Sequence, residues 1–287
     1  MIDFATDDML ETIAHFVHAM NNQPTYYSGY MSLSKSRIHQ DIKAAIAAQG
    51  VLVAKDSDLE GVLITHTNPD QKTCDMAGPY VVNEDLNVGK TLIDHWAQNH
   101  AQGLTLQFFF HRQSAFYHRL MKAINAGYQG DETILTLSKA DYQPDTTHAD
   151  VSAMTAKQRD AVKRLHDTTF PSVYITGEDV VAPHETHDVY VLTERDAVIG
   201  YGLVKHHGTM GSLEVFAIDR AHRGQGRAKP FISCIIDDVF KKKDVQTVQL
   251  VVENVNRTAL NLYTAMGFVV SRENCAYCFT SVEKRGG

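Results

Sequence analysis

Apolar residues recur at three- and four-residue intervals in Met9, Ile13, Phe16, Val17 and Met20. Behind the polar start Thr6-Asp7-Asp8 this spacing predicts an amphipathic helix that stops near Asn21-Asn22-Gln23-Pro24. Ile38, Ile42, Ala45 and Ile46 predict a second helix, from Ser34 or Ser36 to a stop at Gly50. The pattern then shortens to continuous runs. Val51-Leu52-Val53-Ala54 and Val62-Leu63-Ile64, around the polar turn Lys55-Asp56-Ser57-Asp58, predict a hairpin. Tyr80-Val81-Val82 predicts a strand, the spacing of Leu92, Ile93, Trp96 and Ala97 a helix, residues 104–110 a strand, 115–124 a helix and 134–137 a closing strand.

Residues 138–150 are polar and without periodicity, which marks a linker. The same order then begins again. Residues 151–165 have helical spacing, Phe170-Pro171-Ser172 breaks it, and 188–192 with 199–204 predict a hairpin around Thr193-Glu194-Arg195-Asp196. A strand at 213–218, a glycine turn, an apolar helix over 231–240, a strand at 247–252 and a helix at 258–266 follow, with terminal strands on either side of Asn274. Ala126-Gly127-Tyr128 in the first half mirrors Met266-Gly267-Phe268 in the second. The chain reads as two copies of one α/β unit, at 1–140 and 150–287, joined by a linker at 141–149.

Composition narrows the function classes. A length of 287 residues suits two domains, and 44% hydrophobic with 21% charged residues is ordinary for globular cores. The net charge of −7 argues against nonspecific nucleic-acid binding and favours a cationic partner such as an amine only weakly. The N-terminus lacks the basic and apolar regions of a signal peptide, and no apolar run approaches the ~20 residues of a membrane span. Four scattered cysteines give no disulfide framework, so the expectation is a cytoplasmic protein with no membrane or nucleic-acid partner.

The chemistry centres on Arg223-Gly224-Gln225-Gly226-Arg227-Ala228, between a strand and a helix. A helix start leaves its first N–H groups unpaired and partially positive, which suits a phosphate. The turn is not a Rossmann fingerprint, because Lys229 stands where a third small residue is needed, and no P-loop lysine pattern is present. By itself it reads equally as a phosphate loop or as an ordinary strand-to-helix turn. The first half offers Val82-Asn83-Glu84-Asp85-Leu86-Asn87-Val88-Gly89-Lys90 at the same place, with one glycine and two acids that would repel a pyrophosphate.

R-x-x-G-x-A in this turn resembles the acyl-CoA pyrophosphate loop of the GNAT acyltransferase superfamily, Q/R-x-x-G-x-G/A. The run from Asn256 to Phe268, one helix and one strand later, resembles the second GNAT signature, N-x-x-A-x-x-L/F-Y-x-x-x-G-F, at every position. The resemblance implies two tandem GNAT-like domains, each a mixed, mostly antiparallel sheet flanked by helices, of which the first is degenerate. It implies acetyl-CoA as acyl donor, no metal, and a small-molecule or peptide amine as acceptor. The strand Phe216-Ala217-Ile218 would hold the pantetheine arm through backbone N–H groups, and Arg223, Gly224, Gln225, Gly226, Arg227 and Ala228 the pyrophosphate. Tyr263 matches the family's tyrosine near the sulfur, a general acid in many members; its structural reading is a helix tyrosine packed on the sheet. Asn256 matches a cofactor-contacting asparagine and equally a plain helix cap. Glu214 is the candidate general base, or else a solvated or salt-bridged strand residue. The loop 170–179, with Tyr174 and Glu178, would cover the acceptor.

Other groups read as structural. Cys275 and Cys278 of the lone C-x-x-C would face opposite sides of a strand, His184, Glu185, His187 and Asp188 read as polar side chains of a surface loop rather than metal ligands, the pair His206-His207 as solvated at a strand end, Lys241-Lys242-Lys243 as a helix end, and Cys234 as core. The functions that follow are an N-acyltransferase or a noncatalytic acyl-CoA-binding or sensing protein. An aminoacyl-tRNA-dependent transferase is opposed by the acidic charge and the intact loop.

Overall fold

A computed structural model describes residues 1–100, 103–144, 149–171 and 175–280. The chain divides into two compact units, Thr133–Arg272 and Met1–Glu132 together with the segment from Glu273 onward. Each is a mixed sheet with helices.

The first unit contains strands β1 (Ile2–Phe4), β2 (Val51–Lys55), β3 (Leu59–Asn68), β4 (Thr73–Val81) and β5 (Thr105–His111), with helices α1 (Leu10–Asn21), α2 (Lys35–Ala47), α3 (Leu86–His100) and α4 (Ala115–Ala123). β1 to β4 pair antiparallel in chain order, and β4 pairs parallel with β5. β6 (Gly127–Ser138) passes from the first unit into the second at Thr133.

The second unit continues with β7 (Val151–Ala153), α5 (Arg159–Thr169), α6 (Gly177–Val181), β8 (His187–Glu194), β9 (Ala197–His207), β10 (Met210–Ile218), α7 (Ala228–Lys241), β11 (Thr247–Glu253), α8 (Arg257–Ala265) and β12 (Val269–Thr280). β7 to β10 pair antiparallel in order, β10 pairs parallel with β11, and β11 is followed by the second half of β6. One face of this sheet packs Leu213 and Ile218 on Phe231, Ile232, Ile235, Ile236 and Val239 of α7. The other packs Val191, Tyr201, Val215 and Ala217 on Val162 of α5 and on Val180 and Val181 of α6. Alternation of side chains along β10 feeds both cores.

Three elements differ from the sequence reading. Residues 151–165 are not one helix: Val151–Ala153 forms an edge strand against β8. Thr155 and Gln158 then form a capping box that starts a short 3-10 turn, and α5 begins only at Arg159. The predicted loop 170–179 contains the start of α6, set by a second capping box in which the Thr176 N–H donates to Asp179 at 2.9 Å. The strands expected on either side of Asn274 are one continuous β12, and its residues 274–280 pair antiparallel with β5, inside the first unit.

Candidate acyl-donor and acceptor clefts

β10 and β11 pair only from Met210–Leu213 against Thr247–Leu250. The register of β10 against β9 shifts between Leu213 and Val215, so Glu214 sits at a bulge where the parallel pairing ends. Beyond it β10 remains bonded to β9 on one edge only. The Asp219 N–H donates to the Ile199 carbonyl at 2.7 Å. Alternation along an antiparallel ladder then turns Ala217 toward β9, and the N–H groups of Phe216 and Ile218 toward the opposite, open edge. The Ile218 carbonyl faces that edge too, where Arg223 Nε donates to it at 2.7 Å.

The loop after β10 turns back through two left-handed residues, Gly224 at φ +71° and Gly226 at φ +72°. A Cβ at either would meet nothing within 4 Å, so it is the backbone angle and not crowding that calls for glycine. α7 starts directly afterwards without a side-chain cap. Its first N–H groups therefore point at the loop unoccupied by the protein's own acceptors, as a phosphate site requires. Pro230 lies in this first turn, where a missing N–H costs no helical bond. Arg227 is held by Glu194, with Nη2 to Oε1 at 2.5 Å, and its Nε donates to Gln225 Oε1 at 3.0 Å. Arg227 thereby tempers its charge with Glu194, whose carboxyl it pulls below the usual range.

Asn256 caps α8 by accepting the Ala259 N–H at 3.1 Å, so the cap reading of this residue is realised. It also lines both clefts of the unit. Tyr263 is the one buried residue of α8, only 7% exposed, with its ring edge-on to Phe268. Burial pushes its phenol up to about 12, so it keeps its proton at neutral pH.

Two cavities meet along this notch. The larger, about 650 Å³, runs from Tyr263, Leu262 and Asn256 past Phe216, Ala217 and Ile218 to Arg223, Gly224, Gly226, Arg227 and Ala228. The smaller, about 330 Å³, lies among Phe170, Ile175, Glu214, Val251 and Glu253, and shares Phe216, Asn256 and Tyr263 with the first. Lys205 stands 3.7 Å from the Glu214 carboxylate. His166, fully buried, braces the wall of the smaller cavity: its Nε2 lies 2.8 Å from the Ile175 carbonyl and its Nδ1 2.5 Å from the Tyr201 hydroxyl. A carbonyl only accepts, so Nε2 carries the hydrogen and Nδ1 receives the one from Tyr201.

The structure therefore gathers Phe216, Ala217, Ile218, Arg223, Gly224, Gly226, Arg227, Ala228, Asn256, Tyr263 and Glu214 around one notch. Gln225 belongs to the same turn, its side chain folded back onto the Ala221 carbonyl at 3.1 Å. Glu178 lines neither cavity; its carboxylate, 72% exposed, is paired with Lys163 at 2.5 Å. Tyr174 lies outside the described residues. Phe170 and Ile175 belong to the loop 170–179 expected at the acceptor but are not singled out by the sequence, and Glu253 carries no sequence signal, because the face each presents depends on where α5 ends and β11 splays.

The corresponding place in the first unit is closed. β4 and β5 also part early, after Thr73–Asp75 against Thr105–Gln107. The chain's own segment 27–29 fills the opening on β5: the Gly29 N–H donates to the Phe109 carbonyl at 2.7 Å and the His111 N–H to the Tyr27 carbonyl at 3.3 Å. At the start of α3, Asp85 accepts the N–H groups of Asn87 at 2.8 Å and Val88 at 3.2 Å. A carboxylate thus occupies the donors that a phosphate would need, and Glu84 beside it is paired with Arg119 at 2.6 Å.

Among the described residues no group of three or more His, Cys, Asp or Glu side chains is placed to hold a metal ion. Cys74, Cys234, Cys275 and Cys278 carry no disulfide. No helix among the described residues is long and apolar enough to cross a membrane.

The sequence model of the acetyltransferase (GNAT) family matches residues 159–268, the stretch that contains both clefts. No curated protein sequence matches the chain. Among solved structures, a GCN5-related N-acetyltransferase from Sphaerobacter thermophilus is 18% identical, with 97% of this chain and 95% of that one covered and a TM-score of 0.74. A tandem GNAT protein from the clavulanic acid biosynthesis pathway is 13% identical over 99% of this chain and 100% of that one, with a TM-score of 0.68. A glucosamine N-acetyltransferase region of a fungal multi-domain GH3 β-N-acetylglucosaminidase is 14% identical, covering 97% of this chain and 38% of that one, with a TM-score of 0.72. The second unit is thus an acetyltransferase (GNAT) family domain, in a chain whose fold over its whole length is that of tandem GNAT proteins.

Proposed function

We propose that the second unit binds acetyl-CoA and transfers its acetyl group to a primary amine by direct attack in a ternary complex. The observation that carries this reading is the notch itself: an open strand edge leading to an uncapped helix start through two left-handed glycines. The N–H groups of Gln225, Gly226, Arg227 and Ala228 hold the pyrophosphate. Those of Phe216 and Ile218 hold the pantetheine arm and polarise the thioester carbonyl.

The acceptor enters through the smaller cavity. Glu214, directly or through water, takes the proton of the attacking amine; the new C–N bond forms as the C–S bond breaks, and the Tyr263 hydroxyl donates to the departing sulfur. Cys234, on α7 and half-buried, lines neither cavity, which supports transfer without a covalent enzyme intermediate. The first unit, with its notch filled, is catalytically silent in this reading.

A second reading, a noncatalytic acyl-CoA-binding or sensing protein, takes its support from the Lys205 neighbour of Glu214 and the packed ring of Tyr263. The deciding experiment follows free CoA thiol during incubation of the protein with acetyl-CoA and a panel of primary amines. Amine-dependent release is expected. Measurable acetyl-CoA binding with no release for any amine would establish the second reading.

A further inference from the structure

The smaller cavity holds a feature that the transfer chemistry does not use. β11 presents Val251 and Glu253 on one face, two residues apart, while Leu250 and Val252 turn into the core on the other. Val251 is 46% exposed and lines this cavity, so its apolar surface is open to whatever enters. The Glu253 carboxylate is exposed at the cavity and forms no ion pair among the described residues. Glu214, by contrast, has the Lys205 ammonium beside it.

The two acids lie at different depths. Leu250 is opposite Leu213, next to the Glu214 bulge, so Glu214 marks the closed end of the notch. Glu253 is three residues further along β11, about 10 Å toward the open end at the rise of an extended strand. Between them the walls are Phe170, Ile175, Val215 and Val251. A carboxylate, an apolar slot and an uncompensated carboxylate occur in that order.

We propose that the acceptor is an aliphatic amine with a second cationic group, and that Glu253 selects it by pairing with that group. The inference rests on the acetyl-transfer reading and names its substrate class. The reacting amine sits at Glu214 and loses a proton as its nitrogen bonds the acetyl carbon. The alkyl chain covers Val251, and the second ammonium remains charged against Glu253. A chain bearing one amine leaves the Glu253 carboxylate unpaired in a half-covered site, and a chain ending in a carboxylate meets like charge.

The test is acetyl transfer from acetyl-CoA to 1,4-diaminobutane and 1,5-diaminopentane, compared with n-butylamine, n-pentylamine and 4-aminobutanoate. The full chain and its Glu253→Gln variant are assayed side by side. For the wild type, kcat/KM for each diamine is expected to exceed that of the monoamine of equal length about tenfold or more, with 4-aminobutanoate lowest. In Glu253→Gln the diamine-to-monoamine ratio is expected to fall below about threefold. Because the readout is a ratio, a partly misfolded variant does not mimic this result. A wild-type ratio near one, or a ratio that Glu253→Gln leaves in place, overturns the assignment while acetyl transfer itself stands. No transfer to any of these amines or to the wider panel, with acetyl-CoA bound, overturns the transfer reading and this inference with it.

Discussion

Tyr263 joins two demands in one side chain, since its ring is packed in the core of the second unit and its surface lines both clefts. A phenol pushed up to about 12 stays protonated across the working range, so it can donate to sulfur throughout. Tyr263→Phe keeps the packing and removes only the donor. It is expected to lower kcat by about 10- to 1,000-fold while the acetyl-CoA Kd, measured by calorimetry, stays within about twofold. Gly226 separates backbone cost from ligand cost in a similar way. Gly226→Ala strains a left-handed residue, costing about 1 kcal/mol, and touches nothing. Gly226→Glu bears the same strain and adds a carboxylate at the proposed pyrophosphate site. Both variants are expected to melt alike, but only the second to weaken acetyl-CoA binding, by about tenfold or more. Equal affinity in the two places the donor elsewhere. In the first unit, burial pushes the Asp75 carboxyl up from its ordinary 3.8 to about 6. The folded chain thus holds this proton more tightly than the unfolded one, and Asp75 costs stability progressively as pH rises from about 4 through 6. With part of the group solvated, Asp75→Asn is expected to gain about 1–2 kcal/mol at pH 7 and little at pH 4, as read from denaturant melts.

At the scale of elements, Phe170 and Ile175, which line the smaller cavity proposed for the acceptor, are braced by a single histidine. His166 ties the α5 helix to Tyr201 of β9 and to the Ile175 carbonyl, with both ring nitrogens used. Removing it leaves a buried hydroxyl and a carbonyl unpaired, a loss of about 1–3 kcal/mol. His166→Ala is therefore expected to raise KM for the amine about 5- to 10-fold with little change in acetyl-CoA Kd, and His166→Gln, which can still donate to Ile175, to recover part of it. An equal loss of affinity for both substrates would show that the bond only stabilises the fold. The sequence reading puts the loop 170–179 at the wall of the smaller cavity but singles out neither Phe170 nor Ile175, whereas most residues that line the larger cavity, the proposed donor site, can be named from the sequence. The difference is physical. A phosphate loop and a capped helix are built from local backbone conformations, and glycine at Gly224 and Gly226 or asparagine at Asn256 records them in the residue itself. An acceptor wall is built from whichever side chains the splayed strands and the end of α5 bring together, and Phe170, Ile175 and Glu253 could stand in any loop or strand. The edge strands β1 and β7 escaped for a related reason: three residues carry no readable alternation.

On the scale of the whole molecule, the sequence repeat and the compact units divide the chain differently. The repeat places 134–137 with the first half and everything after 150 with the second. In the structure the second half of β6 lies beside β11 in the second unit, and residues 274–280 of β12 pair with His111–Thr105 in the first. Buried residues belong to these strands: Leu135 and Leu137 to the core of the second unit, and Cys275 to that of the first. A fragment cut at the repeat, 150–287, would lose Leu135 and Leu137, at about 1.5–3 kcal/mol of burial each, and would carry a β12 end with no β5 to pair. A fragment of 133–272 keeps its own sheet intact. The expectation is that 133–272 unfolds cooperatively by circular dichroism and binds acetyl-CoA, while 150–287 melts at least 10 °C lower or precipitates through its unpaired strand. Equal melting of the two fragments would mean that β6 contributes nothing to the second unit and that each repeat folds within its own stretch of sequence.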